Sequence, residues 1–261
     1  MHKWIESIKN PLVKEWASLQ EKSRNRKKSR AFILEGKREF QLAISGGYKP
    51  LEVLICEDII SEEDKSEFSK YNPIFCSKEV YQKLAYRGTT EGVLAKMETK
   101  DHSLNKLQLS ENPIVLVAES TEKPGNIGAL LRTADAGNLD AVIIANPKTD
   151  LYNPNVIRSS VGCAFTTQIS TGTSEEVIRF LKEKKIQVYA AALEENAENY
   201  YDMDFKKPSA IAVGTEATGL SSHFLNNADH TIIIPMEGKI DSMNVSVSAS
   251  ILIFEAKRQR L

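Results

Sequence analysis

Beyond residue 112 the chain settles into short, wholly apolar runs at 114–118 (IVLVA), 141–145 (AVIIA), 188–192 (VYAAA), 210–213 (AIAV) and 232–234 (III), with stretches of helical period between most of them. A run that is apolar at every position is a strand buried on both faces. Such runs alternating with helices predict a parallel α/β sheet covered on both sides. Thr173 and Glu176 have the spacing of a capping box, so a helix is expected over 174–185. The segment 244–260 is also helical, with Val245, Val247, Ile251, Leu252 and Phe254 spread over more than one side. A helix apolar nearly all round needs two covering surfaces; its own sheet can be one and a second subunit the other.

The preceding hundred residues follow another pattern. Phe32-Ile33-Leu34, Val53-Leu54-Ile55 and Ile74-Phe75 are short apolar runs between amphipathic stretches, which predicts a small mixed domain. Gly46-Gly47 ends a helix expected over 37–45. Residues 99–112 are polar and lack a clear period, and are the expected linker between a domain over 1–98 and another over 113–261. A length of 261 residues suffices for two such cores.

No apolar run approaches the length of a membrane span and the first residues carry mixed charge, so a cytoplasmic protein without membrane contact is expected. Cys56, Cys76 and Cys163 show no C-x-x-C spacing and read as reduced, mostly buried thiols. His2, His102, His223 and His230 are scattered, so no metal site is expected. The net charge is only -1, yet the first 49 residues hold 12 Lys/Arg against 5 Asp/Glu. Lys22, Arg24, Arg26, Lys27, Lys28 and Arg30 fall within nine positions. That cluster is either a solvated face or an electrostatic footprint for the phosphates of RNA.

The parallel domain lacks the G-x-G-x-x-G dinucleotide cradle, the phosphate-binding loop and the G-x-S-x-G nucleophile elbow. It does carry three polar clusters at the C-terminal ends of apolar runs, where ligands bind in parallel α/β sheets. In the first, PGNIGALLRTAD at 124–135, Asn126 and Arg132 are either a helix cap and a surface arginine or a ligand-binding pair. In the second, VGTEATGL at 213–220, Gly214 and Gly219 bracket Glu216, which is either a capping carboxylate or a functional one. In the third, Ile234, Pro235, Met236 and Gly238 follow a run, and Ser242, Met243 and Asn244 lead into the final helix, as caps or as ligand-orienting groups.

In this order and at these separations the three clusters resemble the three motifs of the SpoU/TrmH RNA 2'-O-methyltransferases, within the wider SPOUT superfamily. The stretch 155–165 (NVIRSSVGCAF) is similar to the family's segment after the second strand, and 86–94 (YRGTTEGVL) to the end of the substrate-binding domain that often precedes it. Met243 stands where leucine is more usual, a swap of similar volume. The resemblance implies a parallel sheet with a deep trefoil knot, preceded by a smaller α/β RNA-binding domain similar to a ribosomal-protein fold. It further implies a homodimer whose site draws on both subunits, S-adenosylmethionine as cofactor, and RNA as substrate, 23S rRNA ahead of tRNA. A non-catalytic RNA-binding or ribosome-assembly factor that keeps the fold is the rival reading.

Carried over position by position, the resemblance puts the cofactor against Leu193, Gly214, Glu216, Ile234, Pro235, Met236, Gly238, Met243 and Asn244. It puts Arg132, Asn126, Glu216, Ser242 and Asn244 around the reacting hydroxyl, with Arg132 and Arg158 on the RNA. A guanidinium stays protonated at any ordinary pH, which makes Arg132 a poor base. Its expected role is to clamp the adjacent phosphate and the developing alkoxide, while phosphate or water takes the proton.

Overall fold

In the computed structural model, which describes residues 3–86, 91–240 and 242–261, the chain forms two units. The first comprises residues 1–100 and 151–166 and the second 101–150 and 167–261. Arg87 to Thr90, within the stretch resembling the end of the substrate-binding domain, lie outside the described residues, as does His2.

The first unit runs β1 (Trp4–Ile5), α1 (Pro11–Glu21), α2 (Ser23–Ser29), β2 (Ala31–Glu35), α3 (Lys37–Ser45), β3 (Pro50–Cys56), α4 (Glu62–Phe68), β4 (Ile74–Cys76), α5 (Lys78–Leu84) and β5 (Val93–Glu98). Its strands line up as β1-β4-β3-β5-β2, with β5 antiparallel to both neighbours. β2 carries AFIL buried on both faces, as its unbroken apolar run requires. α3 occupies the residues expected of it and stops at Gly46. The thiols of Cys56 and Cys76, paired in register on β3 and β4, are buried and free. Burial pushes the Cys76 thiol up to about 12, which keeps it unreactive.

The second unit contains β6 (Ile114–Glu119), α6 (Pro124–Ala136) and β7 (Ala141–Ala145). The chain then contributes α7 (Pro154–Ser160) and α8 (Cys163–Thr166) to the first unit. There Phe165 and Tyr152 stack on Phe32, at ring separations of 5.8 and 4.3 Å. Back in the second unit follow β8 (Ile169–Gly172), α9 (Ser174–Glu183), β9 (Gln187–Ala191), β10 (Glu198–Asn199), β11 (Ser209–Val213), α10 (Ser222–Leu225), β12 (His230–Ile233) and α11 (Val245–Gln259).

These strands form one parallel sheet in the order β10-β12-β9-β11-β6-β7-β8. Every residue of β6, β7 and β11 is buried, the pattern expected of a sheet covered on both faces. The capping box at Thr173 and Glu176 starts α9 where expected, but the helix ends at Glu183, two residues short of the expected 185, because Lys185 turns left-handed at φ 55°. β8 was not expected. It has only two buried residues, Ile169 and Ser170, at a sheet edge, and one apolar residue is no run to register. Residues 101–112 belong to the second unit, where Leu104, Leu107 and Leu109 pack against its core. Asp140 holds this stretch to the start of β6 by accepting from the backbone N–H of Ser110 at 2.8 Å and of Ile114 at 2.9 Å.

Candidate active site

β12, β9 and β11 are neighbours, so the loops after all three emerge side by side at the C-terminal edge of the parallel sheet. Leu193 follows β9, Gly214 follows β11, and Ile234, Pro235, Met236 and Gly238 follow β12. Leu193 is 59% exposed, while Ile234, Met236 and Met243 are half-buried and Pro235 and Gly238 exposed. Open apolar side chains gathered at the functional edge of such a sheet offer a lipophilic face to a flat ligand. An aromatic ring such as the adenine of S-adenosylmethionine would fit such a surface.

The loop after β11 is closed on itself, since Thr215 and Gly219 exchange both backbone hydrogen bonds at 3.0 Å. A Cβ on Gly214 would lie 2.0 Å from the carbonyl carbon of Gly219, so no larger residue fits this turn. The turn projects Glu216, which the structure rules out as a helix cap. Its Oε1 accepts from Asn244 Nδ2 at 2.6 Å and Asn126 Nδ2 at 3.2 Å, and its Oε2 pairs with Lys123. Asn244 Nδ2 also donates to Asn126 Oδ1 at 3.2 Å. These hydrogen bonds, Lys123 first, hold the Glu216 carboxyl below its usual range.

Asn244 has two tasks. It is the N-cap of α11, its Oδ1 accepting from the Ser246 N–H at 3.0 Å, while its amide nitrogen faces Glu216 and Asn126. Asn126 is no cap. Lys123 holds that position in α6, and Asn126 sits third in the first turn with its side chain turned to the cluster.

The structure therefore brings Asn126, Glu216 and Asn244 together but leaves Arg132 apart. Arg132 lies six residues further along α6, about 9 Å up the axis and about 120° around it from Asn126. It is exposed and makes no hydrogen bond or ion pair with another described residue. Ser242 is exposed in the loop before α11.

In the first unit, Lys22, Arg24, Lys27, Lys28 and Arg30 are exposed on and around α2. Arg26 departs from the expected phosphate-facing set. It is 3% exposed and donates to the carbonyls of Leu19 at 2.6 Å and Gln20 at 3.0 Å, closing the C-terminal turn of α1. Arg158 is exposed on α7.

Two side chains that organise the site's surroundings escaped the sequence reading. Lys123 binds Glu216; the signal was a cation immediately before the Pro-Gly-Asn turn. Glu119 ends the apolar run of β6 and is 2% exposed. It accepts from Ser174 Oγ and, at 2.7 Å each, from the N–H and Oγ of Ser221, tying β6 to the starts of α9 and α10. A carboxylate closing an otherwise apolar strand was the signal there.

Residues 113–254, more than half of the sequence, match the model of the SpoU rRNA Methylase family. The chain belongs to this family. Residues 10–95 of this SpoU chain match the MRM3-like substrate binding domain. It is 27% identical over 258 residues to the 23S rRNA (guanosine(2553)-2'-O)-methyltransferase RlmP of Bacillus subtilis, a match covering 98% of this chain and 99% of that one. A solved RNA 2'-O ribose methyltransferase superimposes with a TM-score of 0.84 at 36% identity, over 98% of this chain and 99% of that one. The AdoMet-bound rRNA methyltransferase from Sinorhizobium meliloti gives 0.89 at 26% identity, over 99% and 98%. Both SpoU segments recognised in the sequence thus have counterparts of known fold.

Proposed function

We propose that this SpoU chain methylates a ribose 2'-hydroxyl of 23S rRNA in the cytoplasm, working as a homodimer with S-adenosylmethionine. The observation that carries this reading is the Asn126–Glu216–Asn244 cluster beside the open apolar loops of β9, β11 and β12. Leu193, Ile234, Met236 and Met243 would hold the adenine, with backbone after Gly214 and around Pro235 and Gly238 supplying hydrogen bonds. The cofactor supplies an electrophilic methyl group when bound. What remains for the chain is to align the ribose hydroxyl in line with it and to stabilise the charge that develops, and alignment alone is worth several kcal/mol.

Asn126, Asn244 and Glu216 fix one another, so each reaches the substrate already oriented. Ser242 shapes the loop between the two ligands. Arg132 clamps the neighbouring phosphate and the nascent alkoxide as a fixed cation, and the proton leaves to phosphate or water.

The separation of Arg132 from the cluster within one chain supports delivery from a second copy. Gly125, Ala129, Arg132 and Ala136 form one stripe of α6 at helical spacing, small apart from the arginine. On α11, which packs against α6, Val247 is 48% and Phe254 50% exposed, and the half-buried Ile251 falls between them on the same line. Two open stripes on adjoining helices are a surface that a second copy would cover. Contact between the loops carrying Glu216 and Asn244 supports the knotted arrangement within the same proposal.

Transfer of labelled methyl from S-adenosylmethionine to unmodified total RNA, fractionated into rRNA and tRNA and digested to nucleosides, tests the reading. A 2'-O-methylnucleoside in the rRNA fraction is expected. Label in tRNA alone would reassign the substrate and label on a base would overturn the reaction. Cofactor binding by calorimetry with no transfer to any RNA would favour a binding protein.

A further inference from the structure

The first unit contains a small open cleft that the proposed chemistry does not use. Its floor is apolar, from Ile33, Pro154 and Ile157, and its polar wall is Glu35 and Glu39. Glu39 is the anomaly. It is only 8% exposed, yet its carboxylate has no hydrogen-bond or ionic partner among the described residues. Its oxygens are not sealed from solvent, so they stand free to accept donors that arrive from outside.

The local backbone is shaped around it. Gly36 turns at φ +101° into α3, and a Cβ there would lie 2.8 Å from Glu39 Oε2. The glycine thus leaves room for the carboxylate beside the cleft.

The rim is aromatic and cationic. Tyr86 is 50% exposed and is fixed at both ends, its N–H donating to Glu35 Oε2 at 2.7 Å and its hydroxyl to Asn155 Oδ1 at 2.7 Å. The guanidinium of Arg158 lies over the Tyr86 ring, 5.3 Å from its centroid. Gln20 at the end of α1 and Ile33 on β2 both line the cleft, so the chain between them, α2 with its exposed Lys22, Arg24, Lys27, Lys28 and Arg30, starts and ends at its wall.

We propose that this cleft reads a guanine base splayed out of the RNA. Guanine presents two adjacent donors on its Watson–Crick edge, N1–H and the 2-amino group, which a carboxylate accepts together. Adenine, with an acceptor at N1, would face Glu39 with repulsion, and a pyrimidine has no such donor pair and a smaller surface to stack on Tyr86. Stacking on the Tyr86–Arg158 pair holds the ring, and the basic side chains of α2 hold the flanking phosphates. Assigning the ligand to RNA rests on the methyltransferase reading. The cleft itself is independent of it.

The test is binding of the full chain to short oligouridines carrying one central guanosine, inosine, adenosine or uridine, with guanosine monophosphate as a separate probe. Guanosine should bind about tenfold tighter than uridine, the discrimination expected of one bidentate pair, and inosine should lose most of that gain. Glu39→Gln should shift preference from guanosine toward adenosine, since an amide offers one donor and one acceptor. Tyr86→Leu should weaken guanosine and adenosine alike, and unchanged thermal unfolding shows that either variant still folds. Equal binding of all four oligomers would overturn the cleft proposal and leave the RNA reading standing. No binding to any of them even at low salt would overturn the RNA reading as well. Guanosine monophosphate binding as tightly as the oligomer would give the cleft to a free nucleotide and overturn its role in reading RNA.

Discussion

Asn244 caps the last helix with one atom of its side-chain amide and holds Glu216 with the other, at 2.6 Å. Because Lys123, Asn126 and Asn244 all favour the ionised carboxylate, the folded Glu216 titrates below its ordinary value of 4.5. The stability this adds is complete above that value and is lost as pH falls through the lower folded one. Unfolding curves of the wild type and Glu216→Gln should therefore differ at neutral pH and converge in acid; a difference that grows in acid would contradict the network. At neutral pH, loosening of Asn126 and Asn244 should cost about a hundredfold in kcat.

Arg132→Lys keeps the charge and loses the planar fork, so methyl transfer should fall sharply while calorimetric cofactor affinity stays unchanged. Mixing it with an inactive Asn126→Ala chain should restore part of the activity if Arg132 serves the other subunit's site. No recovery in mixed dimers would place its action within one chain.

The basic stretch should divide in two. Charge reversal at Lys27 and Lys28 should leave thermal stability within about 0.5 kcal/mol and flatten the salt dependence of RNA binding by roughly two units of log–log slope. Arg26→Ala should cost about 2 kcal/mol in urea unfolding, since two carbonyls at the end of α1 lose a buried charged donor. An Arg26 variant of normal stability would refute its structural assignment.

Gly214→Ala should destabilise the second unit by about 1–3 kcal/mol and weaken cofactor binding, because the new methyl has only backbone to displace. Soluble Gly214→Ala protein with full cofactor affinity would show that the turn can open at no cost.

Glu119→Ala should cost about 3 kcal/mol, because a buried carboxylate holding the two helix starts at Ser174 and Ser221 disappears. Hydrogen exchange should quicken at the N–H of Ser221, which donates to it directly. Unchanged exchange there would mean that water replaces the carboxylate.

The parallel sheet was legible because its strands are buried on both faces and leave unbroken apolar runs, as 141–145 does for β7. β8 left only Ile169 and Ser170 buried and was invisible. Capping was legible at Thr173, where both partners lie within one turn. It stayed undecided at Asn126, because the partners that draw it away, Glu216 and Asn244, are 90 and 118 residues distant. Arg26 shows the same limit. In sequence it is one cation among six, and only the path of α1 beneath it makes it a cap rather than a contact.

The double duty of Asn244 also sets an order of events during synthesis. β6 and α6, with Asn126, emerge from the ribosome more than a hundred residues before Asn244, and Glu216 emerges between them. Until α11 has been made and docked, Glu216 and Asn126 have only each other and lack the Asn244 amide that braces both. A nascent chain carrying most of the sheet would thus hold an unbraced cluster, and the full set of hydrogen bonds would arrive in one step, with the closing helix.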